Sequence, residues 1–189
     1  MAKAMGLFWQ RGYYGTSMKQ IEQALDMRPG SLYAAFGSKD GLFAEALKLY
    51  AQRGGEELAA HLEGYNSILT GLQEYLRNLA TAFSPSSETP ARACMIVKTL
   101  LEVSHEQNPL GRQANAMLSE IELALADLLA RARARGELKA GTDCNRLARL
   151  VQAQIIGLRS YAQRDTSSEH VNELGDDMAS MLEHYRAAS

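Results

Sequence analysis

Side chains suited to contact a polyanion are concentrated near the N-terminus of the chain. Thr16 and Ser17 stand directly before a helical pattern, and Lys39 follows Ser38 at the start of another. A helix N-terminus suits an anion, and small polar and basic side chains contact phosphates. These residue types therefore favour contacts with the phosphates of a nucleic acid.

The charge of the chain is unevenly distributed. The 189 residues carry a formal net charge of −2, which by itself disfavours a protein that coats nucleic acid or an anionic membrane. Residues 1–53, however, hold seven basic and four acidic side chains, a net charge of +3, so the remaining residues carry −5. A basic N-terminal segment on an acidic body is consistent with a DNA reader whose larger part faces away from DNA.

The sequence holds no pattern typical of catalysis or of cofactor binding. His105 and Glu106 begin like a zinc-protease motif, but Pro109 occupies the position of the second histidine. A Walker loop, a dinucleotide-binding glycine pattern and a G-x-S-x-G motif are also missing. We therefore expect no enzymatic activity, no metal and no cofactor. Cys94 is either a redox sensor or a small buried hydrophobe, and the second is the commoner case.

The composition favours a cytoplasmic protein. The chain shows no signal peptide and no apolar run of membrane-spanning length, so we expect no membrane partner. The two cysteines, Cys94 and Cys144, cannot form a disulfide framework.

Three short helices are predicted in the N-terminal segment. The first covers residues 2–11 and begins without a capping residue, which suggests that its start is missing. The second begins at Thr16-Ser17, where Ser17 and Gln20 fit a capping box, and the third opens at Arg28-Pro29 and stops at Gly37. Two such helices joined by a tight turn form a helix-turn-helix, whose second helix fits the major groove. Its inward residues are predicted to be Met18, Ile21, Leu25, Met27, Leu32 and Phe36.

Apolar residues recur at helical spacing along the rest of the chain, which predicts an all-α protein of about nine helices. The helix that follows the motif is expected to be weakened at Gly54-Gly55. The further helices are predicted over residues 40–62, 67–83, 91–103, 109–135, 143–164 and 168–186.

The N-terminal segment resembles the DNA-binding domain of the TetR/AcrR family of transcriptional regulators. The resemblance rests on an ordered set of motifs: FWQRGY (8–13), TSMKQI (16–21), GSLY (30–33), FGSK (36–39) and LF (42–43). It implies a helix-turn-helix domain over residues 1–47 and a larger helical domain over residues 48–189 that binds an effector and dimerises.

The resemblance also implies roles for individual residues. Thr16, Ser17, Tyr33 and Lys39 match positions that contact the DNA backbone or bases, and residues 28–31 (Arg28, Pro29, Gly30 and Ser31) begin the recognition helix. One departure is the pair Ala34-Ala35, where many relatives carry a large polar or aromatic residue. Because alanine touches a thymine methyl but donates no hydrogen bond, Arg28 is the best candidate for direct reading of guanine.

The C-terminal body is predicted to hold a dimer interface and an effector pocket. By resemblance, its last two helices pair with their copies in a second subunit, and such a two-fold dimer binds a palindromic operator. The interface residues are predicted to be Leu147, Val151, Ile155, Leu158, Leu174, Met178, Met181 and Tyr185. The pocket residues are predicted to be Tyr65, Tyr75, Phe83, Met95, Thr99, Glu102, Met117 and Tyr161, although the same pattern is typical of plain core.

Two functional hypotheses follow from the sequence. The first is a ligand-responsive regulator, a repressor that binds a palindromic operator as a homodimer and is released by a small molecule. The second is a helical small-molecule-binding protein or enzyme that does not bind DNA specifically; the two alanines of the recognition helix favour it.

Overall fold

The computed structural model describes residues 1–83, 93–103 and 108–188, and within these residues the chain is all-helical, as predicted. One isolated bridge, between Leu138 and Arg186, is the sole β-type pairing there. The helices are α1 (Ala2–Arg11), α2 (Met18–Ala24), α3 (Ser31–Phe36), α4 (Lys39–Leu62), α5 (Ile68–Ala82), α6 (Met95–Glu102), α7 (Pro109–Ala134), α8 (Cys144–Tyr161) and α9 (Ser168–Glu183).

The chain forms two compact units. The N-terminal unit comprises Met1–Gly55 and Met95–Leu118, so α6 and the start of α7 belong with the helix-turn-helix. The C-terminal unit comprises Glu56–Cys94 and Ser119–Ser189. The division at residue 47 that the resemblance implies stays a prediction.

Aromatic side chains close the core of the N-terminal unit. Phe8 from α1 and Phe43 from α4 are buried and meet edge to face, with ring centroids 4.8 Å apart. Ile21 of α2 and Leu32 of α3 are also buried, so the first helices surround one apolar centre. Met27 is exposed, so its predicted inward position was wrong: it lies in the turn between α2 and α3, outside the helical periodicity used to place it.

The turn between α2 and α3 uses two left-handed residues. Asp26 has φ 53°, a conformation that aspartate tolerates better than most residues, and Gly30 has φ 84°. Because Gly30 is the N-cap of α3, the helix begins at Ser31 and not at Arg28 as predicted. Arg28 and Pro29 therefore belong to the turn.

The helix α4 is continuous through Gly54 and Gly55, where a weak point was expected. Helices α6, α8 and α9 are shorter than predicted, and residues 91–92 of the predicted sixth helix lie outside the described part, as does His105. Among the described residues, no helix combines the length and the apolar character that a membrane span requires.

Helices α5, α8 and α9 and the C-terminal half of α7 build the core of the C-terminal unit. Leu72 and Leu76 of α5 pack with Val151 of α8 and Leu182 of α9, and all four are buried. The carboxylate of Glu137, in the loop after α7, accepts hydrogen bonds of 2.8 Å from the Ser67 hydroxyl and 2.9 Å from the Leu69 N–H. These bonds satisfy the free N-terminal end of α5.

Candidate nucleic-acid interface

The recognition helix α3 presents a free outer face. Leu32 is buried against the core, whereas Tyr33 is 53% exposed and Ala34 and Ala35 are exposed beside it. Leu32 is the buried residue of this six-residue helix and Phe36 is half-buried, so Tyr33, Ala34 and Ala35 form its accessible face.

The turn before α3 carries Arg28, Pro29 and Gly30, all exposed. The Ser31 hydroxyl donates a 2.7 Å hydrogen bond to the carbonyl of Arg28 and so fixes the backbone from which the guanidinium extends. The four residues predicted at the start of the recognition helix thus lie together at its N-terminal end.

Thr16 and Ser17, at the start of α2, have different environments. Thr16 is only 1% exposed, and its hydroxyl donates a 2.8 Å hydrogen bond to the carbonyl of Gly12. Ser17 is exposed and forms the predicted capping box, in which it accepts from the Gln20 N–H at 3.2 Å while its own N–H donates to Gln20 Oε1 at 2.8 Å. Ser17 therefore lies at the surface, whereas the Thr16 side chain stabilises the turn between α1 and α2.

Lys39, the first residue of α4, lies against an aromatic ring. Its Nζ is 4.2 Å from the centroid of the Tyr13 ring, a cation–π distance. Partial burial lowers the pKa of Lys39, and the nearby carboxylates of Asp40 and Glu102 oppose that shift.

Tyr13 was not among the predicted site residues. Its hydroxyl donates a short hydrogen bond to Asp40, and its ring meets Phe43 edge to face at 5.1 Å. Burial, followed by that hydrogen bond, raises the pKa of Tyr13. Its neighbour Tyr14 is 66% exposed. The available sequence signal was a pair of adjacent tyrosines, separated from the capping box by Gly15 and Thr16.

Glu22 is a second residue that the sequence did not identify. It lies on α2, is buried, and accepts a hydrogen bond of 3.4 Å from the backbone N–H of Leu32. The contact joins the two helices of the motif and supplies a partner for the free N-terminal end of α3.

Both segments of the chain match family models. Residues 1–46 match the model of the bacterial regulatory proteins of the tetR family, and residues 72–176 match the tetracyclin repressor-like C-terminal domain. The chain belongs to the TetR family.

Relatives of known sequence and structure agree with this assignment. The HTH-type transcriptional repressor ComR of Escherichia coli (strain K12) is 30% identical over 173 residues, which cover 91% of this chain and 81% of ComR. The uncharacterized HTH-type transcriptional regulator YezE of Bacillus subtilis (strain 168) is 26% identical over 182 residues, 96% of this chain and 93% of YezE. A cysteine mutant of the TetR-family regulator CifR, solved with a 26-bp operator duplex, superposes with a TM-score of 0.80 at 31% identity and covers 97% of this chain and 93% of CifR.

The predicted family and the predicted class of protein, a DNA-binding transcriptional regulator, are thereby confirmed. The alternative of a helical protein without specific DNA binding receives no support from these relatives.

Four of the predicted effector residues lie in the N-terminal unit of this TetR-family chain. Met95, Thr99 and Met117 are buried, and the Thr99 hydroxyl donates to the Met95 carbonyl at 2.9 Å within α6. Glu102 accepts a hydrogen bond of 2.7 Å from the backbone N–H of Tyr13, so its carboxylate is engaged at the turn between α1 and α2.

The other four predicted effector residues, Tyr65, Tyr75, Phe83 and Tyr161, lie half-buried in the C-terminal unit. The ring of His61 lies 4.9 Å from that of Tyr65 and 5.5 Å from that of Tyr75. Arg159 lies 4.8 Å from the Phe83 ring. Burial raises the pKa of Tyr75, and the charge of Arg159 opposes the shift. An aromatic group with two basic side chains thus occupies this unit.

A separate cleft of about 430 Å³ lies between α7 and the start of α8. Its lining includes Asp127, Arg133, Asp143 and the buried Cys144, and none of the eight predicted effector residues. Cys94 is half-buried, so its exposure does not decide between a redox sensor and a small buried hydrophobe.

The predicted dimer residues divide by exposure. Leu147, Val151 and Leu158 are buried within the core of their own chain, so they offer no surface to a second subunit. Met181 is 45% exposed. The remaining four are half-buried: Ile155, Leu174, Met178 and Tyr185.

Proposed function

We propose that the chain is a repressor that binds a palindromic operator as a homodimer and is released by a small-molecule effector. The observation that carries the DNA-binding part is the exposed face of α3: Tyr33, Ala34 and Ala35 lie outside, while Leu32 anchors the helix from behind. An α-helix of this kind fits the major groove. CifR, which shares the fold, was solved with operator DNA.

Residue roles follow from exposure and chemistry. Arg28 reads guanine, and the two alanines contact thymine methyl groups. Ser17 and Lys39 contact backbone phosphates, and Tyr33 reaches a phosphate or a base. Thr16 supports the turn through its bond to the Gly12 carbonyl and contributes no hydroxyl to DNA.

Dimerisation is proposed through the exposed and half-buried apolar side chains of α8 and α9. Ile155, Met178 and Met181 form the centre of this surface, and Leu174 and Tyr185 extend it. A two-fold dimer carries two copies of α3, one for each half-site of a palindrome.

Release is proposed to follow effector binding in the C-terminal unit, near Tyr75, His61 and Arg159. An effector that favours a dimer unsuited to the operator spacing shifts the population toward that state. By linkage, operator DNA must then weaken effector binding by the same factor. Such a regulator acts in the cytoplasm.

The deciding experiment is selection of DNA from a random pool by the full chain, followed by titration of the selected duplex at several salt concentrations. We expect a palindromic consensus and a logarithm of affinity that falls by about 0.9 per neutralised phosphate for each tenfold rise in salt. The absence of any enriched sequence, together with salt-independent binding, would contradict the proposal. Adding small molecules to the selected complex then identifies the effector by loss of binding.

A further inference from the structure

Tyr13 makes three polar or cationic contacts at the edge of the proposed DNA surface. Its backbone N–H donates to Glu102 at 2.7 Å, its hydroxyl donates to Asp40, and its ring lies 4.2 Å from Lys39 Nζ. We propose that Tyr13 is a positioning residue that holds the Lys39 ammonium ready for a DNA phosphate. This inference rests on the proposed role of Lys39.

The Tyr13 ring is itself fixed on several sides. It meets Phe43 at 5.1 Å with an interplanar angle of 76°, and Tyr14 at 5.1 Å with an angle of 79°. Phe43 is buried in the core of the unit, and the bond to Glu102 fixes the backbone. A ring held in this way is a rigid platform for a cation.

Contact with a fixed ring favours phosphate binding by lysine because the long lysine side chain has many rotamers. Each phosphate contact by a free lysine costs rotamer entropy, and a side chain that already rests on a ring has lost part of that freedom before binding. The ring contacts one side of the ammonium, so N–H donors on its other side stay available to a phosphate.

Tyr13 also restrains the carboxylate next to Lys39 in the sequence. Asp40 carries a negative charge that competes with phosphate for the ammonium. The hydroxyl of Tyr13 donates to Asp40 Oδ1 and so occupies one oxygen of that carboxylate. The same side chain thus holds the lysine from its ring and the aspartate from its hydroxyl.

The test is a double-mutant cycle with the full chain and a duplex that it has selected from a random pool. The variants are Tyr13→Leu, Tyr13→Phe, Lys39→Ala and the double variant Tyr13→Leu/Lys39→Ala. Operator affinity is measured by fluorescence anisotropy over a range of salt concentrations, and folding is checked by circular dichroism.

Lys39→Ala is expected to weaken binding at least about fivefold and to reduce the salt slope by about 1.8, which is about 0.9 for each subunit of the proposed dimer. Tyr13→Leu is expected to weaken binding about threefold when Lys39 is present and by less than about 1.5-fold when it is absent. Tyr13→Phe keeps the ring and is expected to bind within about twofold of the wild type.

Each contrary result has a distinct meaning. If Lys39→Ala leaves affinity and salt slope unchanged, the phosphate contact itself is refuted, and the role of Tyr13 with it. If Lys39→Ala acts as expected but Tyr13→Leu costs the same in both backgrounds, Tyr13 is a structural residue only and the positioning role is refuted.

An NMR measurement on the free wild-type protein keeps the inference testable if Tyr13→Leu does not fold. Protons of a lysine above an aromatic ring are shifted upfield by the ring current. We expect such a shift for the ε-methylene of Lys39; ordinary lysine chemical shifts would overturn the inference.

Discussion

The carboxylate of Glu102 accepts a 2.7 Å hydrogen bond from the backbone N–H of Tyr13, 89 positions earlier in the chain. The bond joins the C-terminal end of α6 to the turn between α1 and α2. A second contact runs parallel to it, because Lys98 donates a 2.9 Å hydrogen bond to the carbonyl of Trp9 at the end of α1. Helix α6 is therefore bonded both to α1, which closes the DNA-binding motif, and to the turn that follows α1.

Gly12 is required at this turn, and Gly12→Ala should destabilise the N-terminal unit. Its φ of 76° and ψ of 177° lie in a region that is essentially restricted to glycine, at a cost of about 1–3 kcal/mol for other residues. An added Cβ would also lie 1.8 Å from Glu102 Oε1 and force the carboxylate away from Tyr13. Urea unfolding should report the loss as a lower midpoint.

Gly54→Ala is the matched control for this substitution. Gly54 lies within α4, and an added Cβ meets nothing within 4 Å. Alanine there should stabilise the protein by about 0.5–1 kcal/mol. If both substitutions change the midpoint equally, the special conformation assigned to Gly12 is wrong.

Removing the acceptor at Glu102 should expose the Tyr13 amide. Glu102→Ala leaves the partly buried N–H of Tyr13 without its protein partner. Because water can replace part of the lost hydrogen bond, the free energy of unfolding should fall by about 1 kcal/mol. Glu102→Gln keeps a carbonyl oxygen at the same position and should cost less. Hydrogen exchange of the Tyr13 amide is the direct measurement, with faster exchange expected in the alanine variant. Equal exchange rates in wild type and Glu102→Ala would disprove the contact.

Local features of the motif were predictable because neighbouring residues determine them. The capping box of Ser17 and Gln20, the left-handed Asp26 and the stop at Gly37 each depend on a few adjacent positions. The start of α3 was predicted at Arg28-Pro29 because proline is common in a first helical turn. In the structure the left-handed Gly30 is the N-cap, so the helix begins one residue later, at Ser31.

Contacts between distant positions were not predictable from one sequence. Glu102 was assigned to an effector pocket because of its place among apolar residues, and no local pattern indicates its bond to Tyr13. Leu158 was assigned to the dimer surface, yet it packs within its own chain, because a wide apolar stripe on a helix does not reveal which part faces the monomer core. Thr16 was likewise assigned to the DNA surface from its place before a helix, and no local pattern indicates that its side chain is buried.

The crossing of α5 and α9 depends on a glycine, so Gly175→Ala should destabilise the C-terminal unit. A Cβ at Gly175 would lie 2.4 Å from the Cβ of Ala80, and neither atom can rotate away. Overpacking of this kind costs about 1–3 kcal/mol, which thermal unfolding detects.

Two variants test the cause of that loss. Ala80→Gly should recover stability in the Gly175→Ala background because it removes the opposing methyl group. Gly157→Ala, in α8, meets nothing within 4 Å and should not destabilise. If Ala80→Gly does not restore the stability of Gly175→Ala, the contact with the Ala80 methyl group is not the cause of the loss.

Met181→Glu should dissociate the proposed homodimer. Met181 is 45% exposed on α9, so the substitution leaves the monomer core intact while it sets like charges against each other across a two-fold axis. Sedimentation velocity should show at least about a tenfold weaker dimer. Ser180→Glu, an exposed neighbour with the same added charge, is the control. An unchanged dimer in Met181→Glu would exclude this surface.

Arg28→Ala and Lys39→Ala should weaken DNA binding in different ways. Arg28→Ala should cost about 1–3 kcal/mol on the selected duplex and relax the preference at one base position, because a guanine contact is lost. Lys39→Ala should weaken binding to all sequences alike, because a phosphate contact carries no sequence information. It should reduce the salt slope by about 1.8, which is about 0.9 for each subunit of the proposed dimer.

Arg28→Lys distinguishes the contribution of the positive charge to DNA binding from that of the planar guanidinium. It keeps the positive charge but removes the planar fork that pairs with guanine, so it should retain the salt slope while losing the base preference. The measurement is repeated selection from the random pool with each variant, followed by titration on matched and mismatched duplexes. If Arg28→Ala weakens matched and mismatched duplexes by the same factor, Arg28 contacts the backbone and another residue reads the base.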